Sequence, residues 1–154
     1  MRVLIQREVD VPVPAATLWS FVTDWPRQGE WVPLTRVERV DPGDPATDVG
    51  GRIRAWSGIG PVGFWDYMTI TAWETAEDGS GRCEVLHTGA VVKGEGEFVV
   101  VATGPATSTF VWKEMAVLPL GRLGALGWRL VGPVVERLLD RGLAGMRDRV
   151  VATA

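Results

Sequence analysis

Two hydrophobic periods divide the chain, and the place where one gives way to the other constrains its fold most. From Thr35 to Val117, short runs rich in Val, Ile, Thr and Trp alternate with Gly, Pro and Asp clusters at 42–45, 58–63, 78–81, 94–96 and 104–105. Such runs carry side chains that suit a pleated, half-buried surface, and the clusters between them are turn-formers. The spacing predicts strands near 35–41, 51–57, 63–75, 82–91, 96–103 and 107–117. Val3, Ile5, Val9 and Val11 sit at even spacing and add a strand over 3–11, which makes seven. Connections this short favour antiparallel neighbours.

Helical spacing frames this meander. From Pro14, Leu18, Phe21 and Val22 mark a short amphipathic helix ending near Asp24, and Trp25-Pro26 turns the chain into a helical corner reaching Trp31. After Pro119, Leu123, Leu126 and Leu130, then Val131, Val135, Leu139, Leu143, Met146 and Val150, predict a long terminal helix. Gly132-Pro133 should kink it or split it in two, because proline lacks the donor and crowds the preceding turn.

At 154 residues and 46% apolar content, the expectation is one compact domain over residues 1–154, with a core large enough to need no metal or disulfide. One cysteine, Cys83, and one histidine, His87, exclude a disulfide framework and a Cys/His zinc cluster; no cofactor is expected. The net charge of −3 argues against a nucleic-acid footprint, although residues 121–150 hold six Arg against three acids. Arg7, Glu8 and Asp10 interrupt any early apolar run, and no stretch approaches the roughly 20 apolar residues that span a bilayer. A cytoplasmic monomer or homodimer without stable membrane insertion is the expectation.

Two apparent motifs carry no chemistry. Gly58, Gly60 and Gly63 spell a dinucleotide fingerprint, yet strand-like sequence follows where a phosphate-binding helix would have to begin. A Ser-His-acid triad would need His87 but lacks a nucleophile elbow. Three polar side chains on strands deserve more weight. Glu114 shares a face with Phe110 and Trp112, Asp66 lies between Phe64 and Met68, and His87 lies beyond Cys83 and Val85. Each is either a solvated or wall-satisfied group, or a polar group inside a pocket, where an unpaired carboxylate is costly.

The segments VDVPVPAATLWSFVTDWPRQGEW, GFWDYMTITAWE, LHTGAVVKGEGEF and FVWKEMAVLPLGRLGALGW together resemble the START/Bet v 1-like (SRPBCC) superfamily, within it the bacterial polyketide cyclase/dehydrase-like proteins. The resemblance runs along essentially the whole chain. It implies an α+β helix-grip fold: a curved seven-stranded antiparallel sheet around a long C-terminal helix, two short helices after the first strand, and an apolar cavity between sheet and helix. A strongly bent sheet cannot lie flat on one helix, which points to a cavity on separate grounds. Its expected lining is Leu130, Val134, Val135 and Leu138 from the helix, Met68, Ile70, Val85, Phe98, Phe110 and Trp112 from the sheet, and Trp25 and Trp31 from the helical corner. Asp66, His87 and Glu114 are the expected polar groups, subject to strand parity, which one bulge would invert.

The superfamily has no portable catalytic signature, so three roles follow from these expectations. The first is binding or transport of a hydrophobic small molecule: a polyketide, an aromatic or a lipid. The second is an aromatase/cyclase or dehydratase in which Glu114 or Asp66, with His87, moves protons. The third is an interaction or stress-response module whose eight tryptophans fill the cavity.

Overall fold

The computed structural model describes residues 2–117 and 120–154; Pro119, taken above as the point where the period changes, lies outside them. Strand β1 (Arg2–Val11) is followed by helix α1 (Ala15–Val22) and a 3₁₀ helix (Trp25–Glu30). Strands β2 (Thr35–Asp41), β3 (Arg52–Ile59), β4 (Val62–Thr75), β5 (Gly81–Thr88), β6 (Lys93–Gly104) and β7 (Thr107–Val117) form the meander, and helix α2 (Gly121–Thr153) closes the chain. The seven strands make one antiparallel sheet in the order β1-β7-β6-β5-β4-β3-β2. The architecture is the curved sheet and long helix that the resemblance implies.

Strand β5 stops at Thr88, short of the expected 91, and β6 begins at Lys93 rather than 96. The connection keeps the same length but lies three residues earlier, at 89–92 rather than 92–95, which puts Gly94 inside β6 at φ 138°; a Cβ there would lie 1.8 Å from the Met115 carbonyl oxygen. The false dinucleotide motif is a strand–turn–strand: β3 ends at Ile59 and β4 begins at Val62.

Helix α2 is not split in two at Gly132-Pro133. It runs unbroken through Pro133. Both Pro133 and Arg129, whose carbonyl would have accepted the missing bond, are exposed, so water can take the donor's place. Its C-terminal half seats Gly142, Leu143, Met146 and Val150 against the sheet and the helical corner. Gly142 permits that approach, since a Cβ would come within 2.6 Å of the Trp31 carbonyl oxygen.

The core fills one end of the concave face with Leu18, Val22, Ile53, Ile70, Val100, Phe110 and Met146. Aromatic edges lock it: Trp19 meets Trp73 at 5.0 Å between centroids and Phe98 meets Phe110 at 5.1 Å. Trp73 points inward because the register shifts between Ile70 and Ala72, one bulge beyond the residues that matter for the site. Trp56 and Trp65 pack on each other at 5.5 Å on the opposite face, with the Arg54 guanidinium 4.2 Å above Trp65. These two tryptophans therefore do not wall the interior.

Candidate functional site

At the other end of the concave face, sheet and helix stand apart around a hollow of about 680 Å³. That is within the usual range for small-molecule sites, and the tryptophans do not fill it. Of the sequence-predicted wall, Trp25, Met68, Val85, Phe98, Trp112, Val135 and Leu138 line it, together with Asp66, His87 and Glu114.

Five predicted residues sit elsewhere. Ile70, Phe110 and Trp31 belong to the packed core, with exposures of 0, 0 and 3%. Leu130 and Val134 face outward, at 74 and 52% exposure. The reason is helical phase: α2 presents Trp128, Val135, Leu138 and Leu139 to the hollow, which puts Leu130 and Val134 on the outer side. Sequence reasoning missed Trp128 and Leu139, and also the rim from Leu34, Ile59 and Val62. Ile59 and Val62 flank the β3–β4 turn at 71 and 76% exposure, a placement that apolar residues beside glycines do not by themselves disclose.

Three strands assemble the polar cluster. Asp66 on β4 and His87 on β5 are diagonal neighbours, since Met68 is the residue in register with His87. His87 Nδ1 is 2.7 Å from Asp66 Oδ2. Glu114 lies on β7, two strands from β5 and hence about 10 Å away at the backbone, yet His87 Nε2 is 3.0 Å from Glu114 Oε2. The reach is open because the strand between them offers no side chain there. Gly94 is in register with His87, and Gly96 with Glu114. A Cβ on Gly96 would stand 3.0 Å from both Glu114 carboxylate oxygens. Trp112 Nε1 donates to Glu114 Oε1 at 2.7 Å and completes the array.

Burial pushes the His87 ring towards neutrality, but its hydrogen bonds and charge interactions with Asp66 and Glu114 outweigh that and raise its pKa from 6.5 to about 10. At neutral pH the ring is an imidazolium held between two acceptors. Asp66 Oδ1 is buried without a hydrogen-bond partner among the described residues. Cys83, also on the wall, is pushed up to about 12, chiefly by burial, and is a neutral thiol. Both His87 nitrogens are engaged, and no metal-ligating cluster forms among the described residues. A smaller depression of about 450 Å³ includes Arg82, Glu84, Glu97 and Lys113. Both of its cations are paired, Arg82 and Lys113 each meeting Glu97, which leaves it little free positive charge.

The model of the family described as polyketide cyclase/dehydrase and lipid transport matches residues 2–151. The chain belongs to that family. Solved structures share the fold of this polyketide cyclase/dehydrase-family chain. A protein of Thermus thermophilus has a TM-score of 0.78 at 18% identity, covering 99% of each chain. A START superfamily protein from Mycobacterium smegmatis has a TM-score of 0.71 at 17% identity, covering 98% of this chain and 99% of its own. The ZhuI aromatase/cyclase from Streptomyces sp. R1128 has a TM-score of 0.70 at 17% identity, covering 97% of this chain and 94% of its own. At these identities the likeness concerns the fold. No curated protein matches this family member in sequence. Among the described residues no helix is long and apolar enough to cross a membrane.

Proposed function

We propose that the chain binds a hydrophobic small molecule in the hollow between the sheet and α2. The observation that carries this reading is the hollow of about 680 Å³, walled by apolar and aromatic side chains with a few polar groups at one place. Burial of apolar ligand surface supplies the affinity, and the polar groups orient the ligand. The family description, which names both cyclases and lipid transport, supports the same class of cargo. Native mass spectrometry of gently purified protein, with thermal-shift screening against aromatic and acyl compounds, tests it. A bound molecule or a ligand-dependent rise in Tm is expected; the absence of both defeats the reading.

The Asp66–His87–Glu114 array supports a second role, proton transfer on a bound poly-carbonyl chain. Glu114, the most exposed of the three, would take a proton from a carbon of the bound chain and return it to the oxygen that becomes a hydroxyl or leaves as water. His87 would hold the carboxylate and Asp66 would orient the ring. Holding such a chain in a folded pose would supply much of the acceleration. The discriminating measurement is cyclisation or dehydration of a poly-carbonyl substrate by Glu114→Gln. Lost turnover with ligand binding retained supports catalysis, and unchanged turnover removes Glu114 from it.

A further inference from the structure

The charges around the hollow say which ligand it takes, an inference that rests on the binding reading above. No Lys or Arg is among the described residues that line it; apart from the neutral Cys83 thiol, its ionisable side chains are Asp66, His87 and Glu114. Two acidic side chains thus stand against a single basic ring. Nearby basic side chains are committed outside the cavity: Arg7 bridges Glu136 and Asp140, and Arg82 and Lys113 meet Glu97. A ligand carboxylate or phosphate entering here would lose its water beside two acidic side chains, and the one basic ring, His87, already has both nitrogens taken by Asp66 and Glu114.

A cation meets the opposite situation. Each Glu114 oxygen already accepts one hydrogen bond, from His87 or from Trp112, and a carboxylate oxygen can accept a second. The Glu114 side chain keeps 22% exposure, so that capacity is reachable. The ring of Trp112 touches Glu114, and the same hollow is lined by Phe98, 5.3 Å from Trp112, and Trp25, 6.1 Å from Phe98. Aromatic faces attract a positive charge, most strongly where water is thin.

We propose that the hollow selects a hydrophobic cation, an apolar or aromatic body carrying a protonated amine placed against Glu114, and rejects the acid of the same shape. The test uses three probes with one body, 2-naphthylmethylamine, 2-naphthylmethanol and 2-naphthoic acid. Each is titrated calorimetrically into the full chain at neutral pH. The amine should bind about tenfold tighter than the alcohol, and the acid weaker than both. In Glu114→Gln the ratio of amine to alcohol affinity should fall towards one, whatever the change does to the affinity of both. An acid that binds as tightly as the amine, or an amine no better than the alcohol, overturns the proposal while leaving hydrophobic binding intact. If none of the three binds and the broader ligand screen is also empty, the binding reading falls with it. The wild-type series decides the matter even where Glu114→Gln fails to fold, which circular dichroism would reveal.

Discussion

The concave face of the sheet is treated differently at its two ends. At one end the second half of α2 drives Leu143, Met146 and Val150 into a packed core with Ile70, Val100 and Phe110. At the other, the stretch of the same helix up to Leu139 covers a hollow with Trp128, Val135 and Leu139 and leaves Leu123, Leu126, Leu130 and Val134 in solvent. Arg7 on β1 holds the helix where the two regimes meet, through Glu136 and Asp140 at 2.7 Å each. The contrast separates the part of the helix that stabilises the fold from the part that shapes a site, and it can be probed residue by residue.

The largest effect belongs to the packed end. Met146→Ala removes a fully buried side chain and should cost roughly 2–5 kcal/mol, read from the urea midpoint. A loss under about 0.5 kcal/mol would mean that the helix is not seated there.

At the hollow end, the buried imidazolium makes stability depend on pH. The folded pKa of His87, about 10, lies above its usual 6.5. The ring's contribution is therefore complete below the lower value and is lost as pH rises through the upper one. The wild type should lose stability across that interval more steeply than His87→Gln, by at most a few kcal/mol. Parallel stability curves for the two proteins would contradict the array.

A smaller change is expected from Gly96→Ala. The new methyl would press on Val85 and on the Glu114 carboxylate, at 2.9 and 3.0 Å, and displace the acceptor from His87. A loss of about 1 kcal/mol is expected, together with a lower His87 pKa by NMR titration. An unmoved imidazole resonance would show that the glycine gap is not what lets the two residues meet.

The smallest effect belongs to the outer face of α2. Leu130→Ala should shift stability by no more than about 0.5 kcal/mol, because the side chain is 74% exposed. A loss like that of Met146→Ala would mean that the helix rolls inward over the hollow in solution.

Much of this organisation was legible before any coordinates. Alternation in Val3, Ile5, Val9 and Val11 and in Phe110, Trp112 and Glu114 reports strands directly, because side-chain direction has a period of two. For the same reason Asp66, His87 and Glu114 could be grouped with the apolar residues that share their strand faces, although not which face turns inward; the bulge after Ile70 falls beyond them and leaves that parity intact. The unbroken passage of α2 through Pro133 was not legible, since it depends on which side of the helix meets water.

What the residues alone determine, then, is the order of elements and the face on which each strand residue lies, because both follow from local period and turn chemistry. Two matters needed the tertiary structure. One is the rotational phase of α2: residues 123–135 are apolar on more than one side, and close approach at Gly142 and ion pairing to Arg7 select which side turns inward. The other is the meeting of His87 with Glu114, which requires strands far apart in sequence to come into register with Gly94 and Gly96 between them. Neither a helix's phase against its neighbour nor a contact across an intervening strand is encoded locally; both arise only when the sheet closes on the helix.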